Sequence, residues 1–134
     1  MKQREIKFRV WYPCGDKGEM VNDVWIDLEM GELFADNDAL CEREGHSGAI
    51  LMQFTGLSDK NGKEIYEGDI VRFYFDADYG YDKKRGTEMI DTVEFEEGIF
   101  YFMNANIGSG AYANRHNKYC EIIGNIYEDK NLLK

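Results

Sequence analysis

The sequence predicts a mostly β protein with a small helical part: an N-terminal β-meander with one short helix, followed by a C-terminal antiparallel set of strands. Three observations lead there. Apolar residues recur at every second position in segment after segment, which is the period of a half-buried strand. Nine tyrosines and eight phenylalanines accompany a single proline, a composition that suits pleated surfaces. Helix-capping signals gather in one short segment, Asp36 to Gly45.

The elements follow in order. "EIKFRVWY" sets Ile6, Phe8 and Val10 on one face of a strand and Lys7, Arg9 and Trp11 on the other. Pro13 and "GDKG" (Gly15 to Gly18) end it, and "EMVNDVWIDL" resumes extended structure up to Leu28. "EMGE" (Glu29 to Glu32) makes a tight turn before "LFA", so the first 35 residues read as a β-meander. "DNDALCEREG" then changes the pattern. Asp36 or Asn37 can cap a helix, acids crowd its first turn, and Gly45 can end it in a left-handed conformation. Such a helix has about two turns and needs tertiary support.

From "ILMQF" onward strands dominate. "EGDIVRFYF" aligns Val71, Phe73 and Phe75; "MIDTVEF" and "IFYFM" flank "EEG" as a hairpin; "YCEIIGNIY" is the last strand and contains Cys120. Two stretches, Asp76 to Gly86 and Asn104 to Lys118, read as long irregular loops, which in a compact domain are usually functional or mobile.

A chain of 134 residues is the size of one domain and can bury about two-thirds of its unfolded surface without a disulfide or metal. The formal net charge is −10. Phosphate backbones are bound through Lys and Arg that displace counterions, so no direct nucleic-acid binding is expected. Cys14, Cys41 and Cys120 are odd in number and widely spaced, which fits reduced thiols in a reducing compartment. "MKQREIKFRVW" lacks the apolar core of a secretory leader, and no run approaches a membrane span. A cytoplasmic protein is expected.

Candidate sites fail one by one. An EF-hand loop needs a glycine at position 6 and a glutamate at 12; starting at Asp59 or at Asp76, neither register supplies them, leaving only a loose oxygen cluster of Asp76, Asp78 and Asp82. There is no phosphate-binding glycine motif. Cys41 and His46, with His116 and Cys120 and a spare Cys14, could supply zinc ligands, but no paired-cysteine knuckle occurs. A Cys120–His116 nucleophile pair has nothing nearby to depress the thiol pKa. Basic residues cluster at Lys2, Arg4, Lys7 and Arg9, and again at Lys83, Lys84 and Arg85 beside Tyr79 and Tyr81, where neighbouring acids offset them. No catalytic, cofactor or metal residue is therefore assigned, and the chain is not expected to be an enzyme.

The densest stretch is "GLSDKNGKEIYEGDIVRF", Gly56 to Phe73. Asn61-Gly62 suits positive φ at both centres of a type I′ turn, and "EGD" (Glu67 to Asp69) resets the chain into the next strand. The charges mark two turns at a strand junction, a scaffold and not a site. With "REIKFRVW" before it and "EIIGNIYEDKNLL" after it, the overlapping block "LMQFTGLSDKNGKEIYEGDIV" resembles the YopX family of phage and prophage proteins, a resemblance that spans nearly the whole chain. The resemblance implies a small, mostly β protein without an established activity or catalytic residues to transfer. It further implies a β subdomain packed on an SH3-like or barrel-like set of strands, here taken as residues 1–49 and 50–134 of a single domain.

Three functions compete on these grounds. A non-enzymatic module that binds itself or a host or phage protein fits the tyrosines and long loops, because Tyr is enriched at interface hot spots. An acidic mimic of nucleic acid fits the charge. An enzyme would have only Cys41, His46, His116 and Cys120 to work with. "MIDTVEFEEGIFYFM" is apolar on both alternating faces, with Phe100 and Phe102 on one and Ile99, Tyr101 and Met103 on the other. Covering both faces needs a second layer or another subunit, so a homo-oligomer is expected.

Overall fold

The computed structural model describes residues 3, 5–13, 18–29, 32–35, 38–39, 49–82, 84–104 and 109–133. The chain divides into two compact units, Met1–Phe54 and Thr55–Lys134.

The first unit contains β1 (Phe8–Tyr12), β2 (Glu19–Asp27), β3 (Glu32–Ala35), β4 (Asp38–Ala39) and the start of β5 (Ile50–Ser58), hydrogen-bonded in the order β4-β3-β2-β1-β5. The expected meander is present. β1 lies between β2 and β5, and burial extends to both of its faces: Arg9 is buried as well as Val10, Trp11 and Tyr12. Both faces of β1 are covered, so the half-buried period expected for "EIKFRVWY" fails here, and Ile6 lies exposed outside the strand. Val10, Tyr12, Val21 and Val24 form the unit's core, with Phe8 packed against them. The register of β1 on β2 shifts between Phe8 and Val10, opposite a β2 residue, Asp23, at φ 56°. That is a β-bulge with its extra residue in the left-handed region.

The expected helix is not what Asp38–Ala39 forms. These residues pair with β3, Phe34 against Ala39 and Ala35 against Asp38. A two-turn helix is weakly nucleated, whereas an adjacent strand supplies backbone partners at once. Cys41 and the rest of the predicted helix lie outside the described residues.

The second unit holds the remainder of β5, β6 (Glu64–Tyr66), β7 (Asp69–Asp76), β8 (Gly80–Asp82), β9 (Thr87–Glu96), β10 (Ile99–Asn104), β11 (Ser109–Tyr112), a helical turn α1 (Ala113–His116), a 3₁₀ turn at Asn117–Tyr119, and β12 (Glu121–Asn125). Its main sheet runs β11-β10-β9-β7-β12, with β8 also on β7 and every pair antiparallel. The barrel-like expectation is met in strand direction but not in closure: among the described residues no pairing joins β11 to β12. Both stretches expected to be irregular carry structure. Asp76 to Gly86 contains β8, folded back on β7, and Asn104 to Lys118 contains β11 and α1.

The main sheet has two unlike faces. Val71, Phe73, Val93 and Phe102 point into a core shared with Ile65, Ala113 and Cys120, and the Phe73 and Phe102 rings lie 6.2 Å apart. Leu57, Met89, Phe100 and Ile122 pack around it. The opposite face carries Arg72, Tyr74, Glu88, Glu94, Ile99, Tyr101 and Tyr112, as strand alternation and the cross-strand register require.

Candidate functional site

Two carboxylates of the charged stretch that dominates the sequence, Asp59 and Asp69, are taken up by backbone N–H groups. Asp59 Oδ1 accepts the N–H groups of Asn61 and Lys63, each at 2.9 Å, and Oδ2 accepts that of Ile122 at 3.0 Å. The Asp59 N–H bonds Lys63 O at 2.8 Å, and Gly62 N–H bonds Asp59 O at 3.0 Å. Lys60 N–H reaches Cys120 O at 2.9 Å, and Asn117 Nδ2 donates to Ser58 O at 2.8 Å. This is a turn with one left-handed residue, Gly62 at φ 82°; Asn61 is not in the positive-φ region. The type I′ expectation is therefore corrected. The carboxylate holds two loop N–H groups and selects a different turn, the competition that Asp side chains offer in loops.

The second turn is tied the same way. Asp69 Oδ2 accepts Tyr66 N–H at 2.8 Å, Gly68 N–H bonds Val93 O, and Ile126 N–H bonds Gly68 O. At the C-terminal block, Asn125 Oδ1 accepts the N–H groups of Tyr127 and Glu128, and Asp129 Oδ2 accepts that of Asn125 at 3.1 Å. Gly124 leaves room for this: a Cβ there would lie 2.5 Å from Asp129 Oδ2. These side chains hold the turns at the strand junctions.

The acidic loop is also self-satisfied. Asp76 Oδ1 accepts from the N–H groups of Asp78 and Tyr79, and Asp82 Oδ1 from those of Lys84 and Arg85. Lys84 and Arg85 of the basic cluster lie between β8 and β9, and the Arg85 guanidinium lies 4.7 Å from the centre of the Tyr79 ring. Lys83 lies outside the described residues.

Of the thiol and imidazole set, Cys14, Cys41 and His46 lie outside the described residues. Cys120 is a free, fully buried thiol immediately before β12, one residue short of the strand expected to contain it. It donates to Asn117 O at 3.3 Å. Burial, then the charge of Asp59, pushes its pKa up to about 12, so it is a protonated apolar filler and a poor nucleophile. His116, in α1, has its pKa lowered by burial and then by the Arg115 charge. Among the described residues no group of three His, Cys, Asp or Glu side chains could hold a metal ion.

What the second unit does present is a surface. On the face away from its core, Tyr101 pairs with Glu94 on one side and Tyr112 on the other. The two tyrosine rings are 5.5 Å apart, and the Arg115 guanidinium lies 5.3 Å from the centre of the Tyr112 ring. Burial, and next the neighbouring Tyr112, raises the Tyr101 pKa, so its phenol is a neutral donor. Beside them a groove of about 450 Å³ is lined by Leu57, Ile99, Phe100, Tyr112, Asn114 and Arg115. Such a patch can seat another protein's side chains through apolar contact, aromatic packing and one cation. Alternation in "IFYFM" had already put Ile99, Tyr101 and Met103 together. Tyr112 and Arg115 escaped because their segment shows no period; the hairpin return after Asn104 was the only signal available.

Comparison with known proteins agrees with this architecture. The family model described as YopX protein matches residues 7–134. The crystal structure of protein EF1440 from Enterococcus faecalis superposes with a TM-score of 0.64 at 24% identity, covering 98% of this chain and 100% of that one. The crystal structure of protein yopX from Bacillus subtilis gives a TM-score of 0.57 at 19% identity, covering 96% and 95%. At these identities both show the fold alone. No curated protein matches the sequence. Among the described residues no helix is long and apolar enough to cross a membrane.

Proposed function

The chain belongs to the YopX family, and we propose that it is a non-enzymatic, cytoplasmic accessory protein of a phage or prophage that works by binding protein, in the first place a second copy of itself. One observation carries this reading: the face of the main sheet turned away from its core bears apolar and aromatic side chains with substantial exposure, Ile99 at 39% and Tyr112 at 42%. Half-buried Tyr101 and Met103 lie on the same face. Aromatic residues are the anchors of protein interfaces. The buried, protonated Cys120 supports the non-enzymatic side, since it is withdrawn from any substrate.

The charge of −10 opposes association, but exposed charges are screened beyond roughly 8–10 Å at ordinary salt. A standard interface buries about 800 Å² per partner, and its apolar burial acts against this repulsion. Light scattering at moderate salt and micromolar concentration tests the reading. A mass of twice 15.6 kDa or more is expected, and a monomer mass across the whole range overturns it.

A second reading, an acidic mimic that occupies a DNA-binding protein, draws on β9, which sets exposed Glu88, Glu94 and Glu96 on this same face. Its signature is capture of a DNA-binding protein that added DNA displaces. It ranks behind the first because Ile90 and Thr92 interrupt the carboxylates.

A further inference from the structure

Four side chains on this face of the second unit fall in order of charge. Neighbouring strands β9, β10 and β11 set Glu94 opposite Tyr101 and Tyr101 opposite Tyr112. Directly paired residues point to the same side of a sheet, so the three make one row across it, and Arg115 extends the row over the Tyr112 ring. It reads carboxylate, phenol, phenol, guanidinium over about 15 Å, from strand spacings of ~4.8 Å. Glu94, Tyr112 and Arg115 are exposed and Tyr101 is half-buried. Composition sharpens the polarity: no Asp or Glu occurs from Gly98 to Cys120, whereas Glu94, Glu96 and Glu97 cluster at the other end.

A row of this kind is complementary to itself. A two-fold axis across its middle brings the carboxylate end of one copy onto the guanidinium end of the other, with the tyrosines meeting between them. Isologous interfaces require this self-matching, and a partner of uniform charge would meet repulsion at one end. We propose that this face binds the same face of a second copy of the chain, Glu94 of each copy pairing with Arg115 of the other around a Tyr101–Tyr112 centre. This rests on the self-association proposed above and adds its contact and symmetry.

Charge reversal tests it. Arg115→Glu faces carboxylate with carboxylate at both ends of the interface, and Glu94→Arg faces guanidinium with guanidinium. Each alone should raise the dimer dissociation constant about tenfold or more, as like charges do across an interface. An equimolar mixture of the two variants should form a heterodimer, because both of its contacts are then complementary. The double variant E94R/R115E should dimerise like wild type, which also shows that loss in the single variants is not unfolding. Sedimentation velocity reads the masses. A wild-type dimer indifferent to either reversal overturns this contact and leaves self-association standing. Monomeric single variants that neither mixing nor the double variant rescues also overturn the contact. A wild-type mass that is an odd multiple of the chain overturns the two-fold axis, and a monomeric wild type overturns both this inference and the reading beneath it.

Discussion

Asp59 accepts the backbone N–H of Ile122 at 3.0 Å, across 63 residues of sequence. The bond ties the loop between β5 and β6 to β12, and with Lys60 N–H on Cys120 O it forms a two-point clasp. The middle and C-terminal blocks of the sequence, which look like separate charged motifs, are two halves of one hydrogen-bonded joint.

Asp59→Ala should therefore be costly. Asp59 is 6% exposed and holds three N–H groups. Leaving buried donors without a charged acceptor costs about 1–3 kcal/mol each where water cannot replace it, and the two loop donors can partly reach water, so a loss of about 2–4 kcal/mol is expected. Asp59→Asn keeps one acceptor oxygen and should lose less. Urea denaturation measures both, and an alanine variant within 0.5 kcal/mol of wild type would mean that water substitutes for the carboxylate.

Glu97 is a site for stabilisation. The β9–β10 hairpin turns through Glu97 at φ 51° and Gly98 at φ 81°, between the paired residues Glu96 and Ile99. Positive φ at both centres of a two-residue loop is the type I′ geometry, which prefers Asn-Gly. Glu97→Asn or Glu97→Gly should raise stability by about 0.5–1 kcal/mol by removing left-handed strain. Thermal unfolding would show the melting temperature rise; a fall would mean that the Glu97 side chain makes contacts worth more than the strain.

The Cys120 thiol should resist alkylation in the folded protein and react on unfolding. Its folded pKa, about 12, lies above the ordinary 9.0. The unfolded chain thus loses this proton first as pH rises. The thiol's contribution is fully present below pH 9 and is lost progressively between pH 9 and 12, by at most about 1.4 kcal/mol per pH unit. Cys120→Ala should lack that part of the alkaline slope, whatever its effect on stability at neutral pH. An unchanged slope would assign alkaline unfolding to other groups.

Gly124→Ala should clash with Asp129, whose Oδ2 lies 2.5 Å from the added Cβ position and accepts the Asn125 N–H. A loss of about 1–3 kcal/mol is expected, as for other overpacked sites. In an Asp129→Ala background the same substitution should cost much less, because the side chain that it displaces is gone. Equal costs in both backgrounds would place the strain elsewhere.

Periodicity read from the residues alone located most strands, because side chains at alternate positions report burial directly. Phe8–Tyr12 of "EIKFRVWY", the part of "EGDIVRFYF" from Asp69 on, and "IFYFM" are strands, and the split of Phe100 and Phe102 from Ile99, Tyr101 and Met103 describes the two faces of β10. The exclusion of calcium and phosphate motifs was likewise local, a matter of spacing.

Tertiary structure decided what depends on partners distant in sequence. Asn61-Gly62 carried the stronger local signal for a type I′ turn, yet the carboxylate of Asp59 captured that loop and the geometry went to Glu97-Gly98. Asp38 and Ala39 had helix-capping neighbours, yet β3 offered backbone partners to them. Arg9 and Trp11 fall at the solvent phase of an alternating strand, yet both are buried in the folded chain. The row from Glu94 to Arg115 draws on three strands and a helical turn, so no window of sequence contains it. Local pattern fixes which residues share a strand face; which faces are covered, and which acceptor takes which N–H, is settled only when segments far apart in the chain meet and water is excluded between them.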